Sequence, residues 1–400
     1  MTRPELLAPA GDLEKLKIAL IYGADAVYIG GTEFSLRARA SNFTIEAIKE
    51  GVEFAHKLGK KVYITANMLP HNEDMSGLDE YLQKLQSAGV DAVIAASPFI
   101  IDRTLKTTKI PVHLSTQQSV TNSTLANFWF DYGIERVVLA RELSIKEIAE
   151  VKKRSTGELE VFIHGGMCVS YSGRCTLSNT MTDRDANRGG CAHSCRWNYS
   201  LFQSDQAIGK HNEFRMSSKD LDSTEYLPDL LDIGISSLKI EGRMKSAHYI
   251  ATVVYVYRMM IDDYYNQQLK PRDYYENEIQ KAENRSTSHG FFAGMTTTEQ
   301  QLYVDNSSTP NQEFIAIGLD YDYETGMATV EQRNNFKPGS TIEVISPGQI
   351  PVTLTLGVIL DELGHEVDAA RHPLQIIRFK SELPIKKYDM IRMCAPCQNL

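Results

Sequence analysis

The sequence predicts an α/β protein: a (β/α)₈ TIM-like barrel with a cysteine-bearing insertion, followed by a small C-terminal antiparallel β-barrel domain. Three observations predict it. Eight short apolar runs alternate with amphipathic stretches, about 70 residues carrying four cysteines part the seventh run from the eighth, and beyond residue 300 the rhythm changes to short alternating strands.

The eight runs are Glu5 to Ala8, Ala26 to Ile29, Val62 to Ala66, Ala92 to Ala96, Val112 to Ser115, Val137 to Ala140, Val161 to His164 and Ser237 to Glu241. Asp12 is a good N-cap for the first helix, which places Leu13, Leu16, Ala19 and Leu20 on one face. Ile45 to Leu58 and Met75 to Ala88 read the same way. Eight parallel strands favour a closed barrel over an open doubly wound sheet, and no G-x-G-x-x-G turn follows the first run. In a barrel, strand C-terminal ends face the active site, which places Glu33, Arg37, Arg39, Asn67, Gln117, Gln118, Arg141, Glu142, His164, Lys239, Glu241 and Arg243 there.

The insertion, at about residues 168–234, is far longer than an ordinary βα connection, as functional loops often are. Ser246 caps a last apolar helix to about Tyr265, and a polar stretch with Asn284, Arg285, Gly290 and Gly294 ends the barrel domain, predicted as residues 1–300. The second domain, 301–400, reads as strands at Glu313 to Leu319, Met327 to Glu331, Ser340 to Ile345 and Gln375 to Phe379.

With 42% hydrophobic and 23% charged residues, the composition is that of an ordinary globular protein. No apolar stretch is long enough to cross a membrane and no export leader opens the chain, so a cytoplasmic location is expected. A net charge of -9 disfavours non-specific polyanion binding, although an acidic average can hide a basic mouth.

Cys168, Cys175, Cys191 and Cys195 form a C-x₆-C-x₁₅-C-x₃-C array. Clustered thiols in a reducing compartment point to metal or redox chemistry. The first pair is too wide for a zinc knuckle, whereas iron-sulfur clusters accept several spacings. Zinc and free redox thiols stay open at this point. Arg174, Arg184, Arg188 and Arg196 could stabilise anionic thiolates and orient an anionic substrate, or be solvated loop cations. Cys394 and Cys397 form a C-x-x-C pair with no βα context, and read as incidental.

From Glu160 the sequence runs E-V-F-I-H-G-G-M-C-V-S-Y-S-G-R-C. Together with Pro4 to Gly11, Tyr28 to Gly31, His113 to Gln117, Arg188 to Cys191, Cys195-Arg196 and Leu238 to Met244, it resembles the collagenase-like peptidase family U-32 along the whole chain. Within that family it is most similar to the prephenate-dependent tRNA uridine hydroxylation proteins, which install 5-hydroxyuridine at the wobble position. The resemblance implies a [4Fe-4S] cluster on Cys168, Cys175, Cys191 and Cys195, with tRNA and prephenate as binding partners.

Three functional readings follow. In the first, the chain is a tRNA uridine hydroxylase. Arg37, Arg39, Lys239 and Arg243 would hold the two prephenate carboxylates, with Gln117 and Arg174 also binding substrate and His164 and Glu241 shuttling protons. Arg378, Lys380, Lys386 and Lys387 would contact the tRNA backbone. The bland alternative for each is an ion pair closing the barrel mouth or a solvated charge. The second reading is a peptidase, although no H-E-x-x-H or G-x-S-x-G occurs and the clustered cysteines are the only evident nucleophiles. The third is a non-catalytic iron-sulfur accessory subunit, as in an oxygen-independent hydroxylation pathway, working with a protein partner or as a homo-oligomer.

Overall fold

The structure, a computed structural model, describes residues 2–35, 42–208, 213–282, 285–301 and 313–394. These fall into two compact units.

The first unit is a closed barrel of eight parallel strands: β1 (Glu5–Pro9), β2 (Ala26–Gly30), β3 (Lys61–Ala66), β4 (Ala92–Ala95), β5 (Val112–Leu114), β6 (Arg136–Val138), β7 (Glu158–Gly165) and β8 (Ser237–Ile240). Neighbours in sequence pair in parallel, and β8 joins both β7 and β1, the latter through Glu5↔Ser237 and Leu7↔Lys239. The ring closes, as predicted. Closure buries both strand faces, which is why the strands read as continuous apolar runs rather than alternating ones.

Helices α1 (Leu13–Ile21), α2 (Ile45–Lys57), α3 (Leu78–Ala88), α4 (Pro98–Thr107), α5 (Ser123–Asp131) and α6 (Ile145–Arg154) connect the strands. Local chemistry sets their ends. Thr44, Asn122 and Ser144 accept from backbone N–H groups at their N-termini, Ser144 reciprocally with Glu147, and Gly89 ends α3 at φ +80°.

The predicted insertion parts β7 from β8. It holds α7 (Leu177–Thr182), an exposed hairpin of Leu201–Gln203 with Gln206–Ile208, a short strand Asp220–Asp222 and α8 (Leu227–Ile233). Asp220–Asp222 runs antiparallel to the end of β7, pairing Leu221 with Gly165 and Asp222 with His164.

The second unit contains α9 (Ala247–Tyr265), α10 (Arg272–Gln280) and an eight-stranded antiparallel sheet. Its strands are β9 (Phe314–Asp322), β10 (Met327–Gln332), β11 (Thr341–Ile345), β12 (Val352–Thr355), β13 (Ile359–Leu360), β14 (Glu366–Val367), β15 (Ile376–Lys380) and β16 (Met390–Met393). Their spatial order is β12-β11-β16-β9-β10-β15-β13-β14. The sheet curls around Ile315, Val330, Phe336, Ile342, Ile377, Phe379 and Ile391. Residues 21–23 also belong to this unit: the Tyr22 hydroxyl donates to the carbonyls of Ile345 (2.8 Å) and Tyr388 (2.9 Å). The compact units therefore divide the chain differently from a cut at residue 300, because α9 and α10 group with the C-terminal sheet.

Candidate active site

The barrel interior is charged. Glu160, fully buried on β7, accepts from Lys239 Nζ at 2.8 Å and from Arg136 at 3.3 Å, and Arg136 also reaches Glu5 at 2.5 Å. Strands β6 and β1 are not neighbours, so the last contact crosses the inside of the barrel. Lys239 also lies 4.6 Å from the ring centre of Tyr28 and 5.3 Å from that of Phe162. Its charge is thus matched within the barrel.

Above this layer β7 ends in a close approach. Gly165 has φ +99°, and a Cβ there would meet the Glu241 carbonyl at 2.3 Å, so the position admits only glycine. The next residue, Gly166, has charged neighbours: a Cβ on it would lie 3.1 Å from the Arg196 guanidinium, 3.7 Å from Glu241 Oε2 and 3.8 Å from Asp220 Oδ1. Arg141 donates to the Gly166 carbonyl at 2.7 Å and lies over the Phe162 ring at 3.6 Å. Burial pulls its pKa down, and the charges of Glu241 and Cys168 act against that. A cation, two carboxylates and a thiol therefore meet at the end of β7. Asp220 in turn lies 3.4 Å from Lys245 and 3.5 Å from Arg285.

Across the mouth, Arg243 is buried and donates to Ser35 (3.1 Å), Thr65 (3.0 Å) and Asn42 (3.2 Å). A Cβ on Gly30 would overlap its guanidinium, so the glycine ending β2 admits the arginine. His164 is fully buried, and its carbonyl accepts from the Glu241 N–H at 2.8 Å.

The cysteine excursion is fastened to this rim at separate points. Arg174 Nε donates to the Gln117 carbonyl at 2.6 Å, just beyond β5. Ser172 gives both its N–H and its hydroxyl to Glu142, each at 2.6 Å, beyond β6. Arg188 reaches Glu73 and Asp74, each at 2.8 Å, and the Leu69 N–H donates to the Asn187 carbonyl at 2.9 Å, both beyond β3. Within the loop, Asn187 donates to the Cys175 carbonyl and the Met216 N–H to that of Cys195.

The four thiols are brought into mutual electrostatic range. The Cys195 thiol is pushed up to about 11, first by burial, and also by Cys168, Cys191 and Cys175 against the opposing pull of Arg196. Cys168 is exposed and the other three are half-buried. Among the described residues no three His, Cys, Asp or Glu side chains stand close enough to hold a single ion.

Of the residues named from sequence, Glu241 lies at the β7 end beside Arg141, His164 pairs with the strand beside it, Arg243 and Gln117 flank the mouth, and Arg174 fastens the excursion. Lys239 lies one layer deeper. Arg37 and Arg39 lie outside the described residues, as does Cys397. Arg378, Lys380, Lys386 and Lys387 are all exposed on the second unit. Sequence reading missed Asp220, Lys245 and Arg285, and the interior set Glu5, Arg136 and Glu160. A glutamate between Leu159 and Val161 in an otherwise apolar run was the one signal for the latter.

Among the described residues no helix is long and apolar enough to cross a membrane. Family models match most of the chain: peptidase family U32 over residues 11–302 and the peptidase family U32 C-terminal domain over 310–392. The chain is 50% identical to "tRNA hydroxylation protein P1" of Bacillus subtilis, over 98% of this chain and 94% of the relative. It is 39% identical to the "23S rRNA 5-hydroxycytidine C2501 synthase" of Escherichia coli, over 65% of this chain and 39% of that protein. It is 29% identical to "Collagenase" of Porphyromonas gingivalis, over 93% and 91%. Matching both models and keeping half of its residues in common with a relative over nearly its whole length, the chain belongs to peptidase family U32.

Proposed function

We propose that this chain is an RNA-modifying enzyme that hydroxylates the wobble uridine of tRNA to 5-hydroxyuridine. In this reading prephenate is the hydroxyl donor and Cys168, Cys175, Cys191 and Cys195 hold a [4Fe-4S] cluster. The observation that carries it is the gathering of four thiols over the C-terminal end of β7, where barrel enzymes do their chemistry, in a chain half identical to a tRNA hydroxylation protein.

The donor set supports the cofactor. One tetrahedral ion with bonds of about 2.3 Å needs its thiolates roughly 4 Å apart, while several irons make a wider body. Thiols that sense one another without a single-ion geometry suit the wider body better than zinc. When bound, the cluster would supply redox or Lewis-acid chemistry. Arg196 would offset the negative charge of the ligated thiolates. Arg243, fixed by three neutral oxygens, would hold a substrate carboxylate, and Glu241 would exchange a proton beside Arg141.

A peptidase needs an activated nucleophile or a metal with an open position. Burial moves Cys195 in the direction opposite to activation. For an accessory subunit, the purified chain alone would be inactive on tRNA.

Two measurements test the proposal. Anaerobically purified protein should contain iron and acid-labile sulfide and show a broad visible absorption, both lost in Cys175→Ala; stoichiometric zinc without iron would overturn the cofactor. Nucleosides of tRNA from cells lacking the gene should have lost 5-hydroxyuridine, and an unchanged level overturns the activity.

A further inference from the structure

The cysteine excursion differs from the rest of the chain in charge and in what it exposes. From Gly166 to Lys219 it carries seven Lys and Arg against four Asp and Glu, within a chain of net charge -9. It also turns large aromatic side chains to solvent: Tyr171 is 56% exposed and Trp197 43%. The second tryptophan of the chain, Trp129, is buried. Exposed rings on a loop with few apolar contacts of its own add nothing to its stability, and this loop is held by polar fastenings instead. Tyr171 lies three residues beyond Cys168 and Trp197 two beyond Cys195, so the rings flank the thiols in sequence on a backbone pinned to the barrel rim.

Flat, exposed rings interleaved with guanidinium groups are the chemistry of a single-stranded nucleic-acid platform, where bases stack and cations track phosphates. Arg174 bonds a neutral carbonyl, which orients its guanidinium without neutralising it. Arg184 lies on the same excursion, between the second and third cysteines. Most of the chain's acidity is elsewhere, so a polyanion meets its complement on this rim.

We propose that the rim of the cysteine excursion is a docking surface for single-stranded RNA, on which Tyr171 and Trp197 stack unpaired bases while Arg174 and Arg184 hold phosphates. The inference rests on the RNA-modifying reading and deepens it: the substrate is a loop or end with splayed bases, not a duplex. A base unstacked beside the thiols is also one whose ring atoms are open to chemistry.

The test uses the full chain, purified anaerobically with its iron, and a fluorescein-labelled anticodon stem-loop RNA with uridine at the wobble position. Anisotropy titrations at several salt concentrations compare the wild type with Trp197→Ala, Tyr171→Ala, Trp197→Phe and Lys386→Ala/Lys387→Ala. Iron, sulfide and melting temperature of each variant confirm that it is folded and loaded. Each alanine variant should bind roughly ten-fold or more weakly, Trp197→Phe should recover most of the loss, and a duplex of the same length should compete poorly. RNA should also quench tryptophan fluorescence in the wild type but not in Trp197→Phe.

Wild-type affinity for the stem-loop that the alanine variants share overturns the surface, as does a loss confined to the lysine variant. The activity reading survives either result if 5-hydroxyuridine still depends on the gene. A wild type that binds no RNA overturns both. Concentration-dependent self-association abolished by Trp197→Ala would instead assign the rim to a second copy of the chain, and overturn the RNA proposal.

Discussion

Lys239 Nζ lies 2.8 Å from Glu160 Oε1 inside the barrel, and both side chains are shielded from water. Burial pulls Lys239 toward its neutral form, but a carboxylate at this distance, itself facing Arg136, keeps the pair ionised. Burial also opposes the charge on Glu160; Lys239, Arg136 and His113 more than reverse that and hold its pKa at about 2 rather than 4.5. A depressed carboxylate contributes stability that is complete above the ordinary value and lost as pH falls through the folded one. Glu160→Gln should cost about 3–5 kcal/mol at neutral pH, since it leaves two buried cations short of their partner. Urea unfolding at a series of pH values should also show a weaker acid dependence for the variant between about pH 4.5 and 2. Equal stability of the two proteins would show that the pair contributes nothing net.

Gly165→Ala should damage the mouth more than its size suggests. The residue has φ +99° and its new methyl would meet the Glu241 carbonyl at 2.3 Å. Left-handed backbone alone costs about 1–3 kcal/mol for a residue with a Cβ, and the overlap adds to it. Thermal unfolding should show the loss; an unchanged midpoint would mean that the turn after β7 relaxes freely.

Glu142→Ala removes the acceptor of two 2.6 Å hydrogen bonds from Ser172. Their loss should loosen the excursion near Cys168 and Cys175 while leaving the barrel intact. Hydrogen exchange is expected to quicken in residues 168–175 with little change in the barrel strands. Uniform quickening across the barrel would argue that Glu142 supports the whole fold.

The five described cysteines should divide four to one. Cys394 belongs to the second unit, where its N–H donates to the Thr341 carbonyl at 3.0 Å. Cys394→Ala should therefore keep the iron and sulfide content of the wild type, while Cys191→Ala should lose most of it. Iron loss from the Cys394 variant would bring that thiol into the ligand set.

The barrel strands were legible to within a residue or two because closed parallel strands are apolar on both faces. The long β7–β8 excursion was legible because nothing else explains such a gap between matching runs. The second unit was harder to read. Strand β12 alternates too little to be noticed, with Val352, Thr353 and Thr355 exposed; β13 and β14 have two residues each; and β16 carries the buried Arg392 amid its apolar residues. That arginine becomes intelligible only beside Glu278 and Glu343, which it meets at 2.8 and 2.5 Å.

By itself the sequence determined the number and order of the barrel strands, the place of the cysteine excursion and the candidate thiol set, since periodicity, loop length and cysteine spacing are local properties. Only the tertiary structure decided which charges oppose one another. Lys239 turned inward to Glu160, Asp220 came to the end of β7 beside Arg196, and Tyr22 joined residues more than 300 positions away. Such pairings depend on which strand ends the closing barrel and the curling sheet bring within a few ångströms, and no stretch of sequence read alone contains that distance.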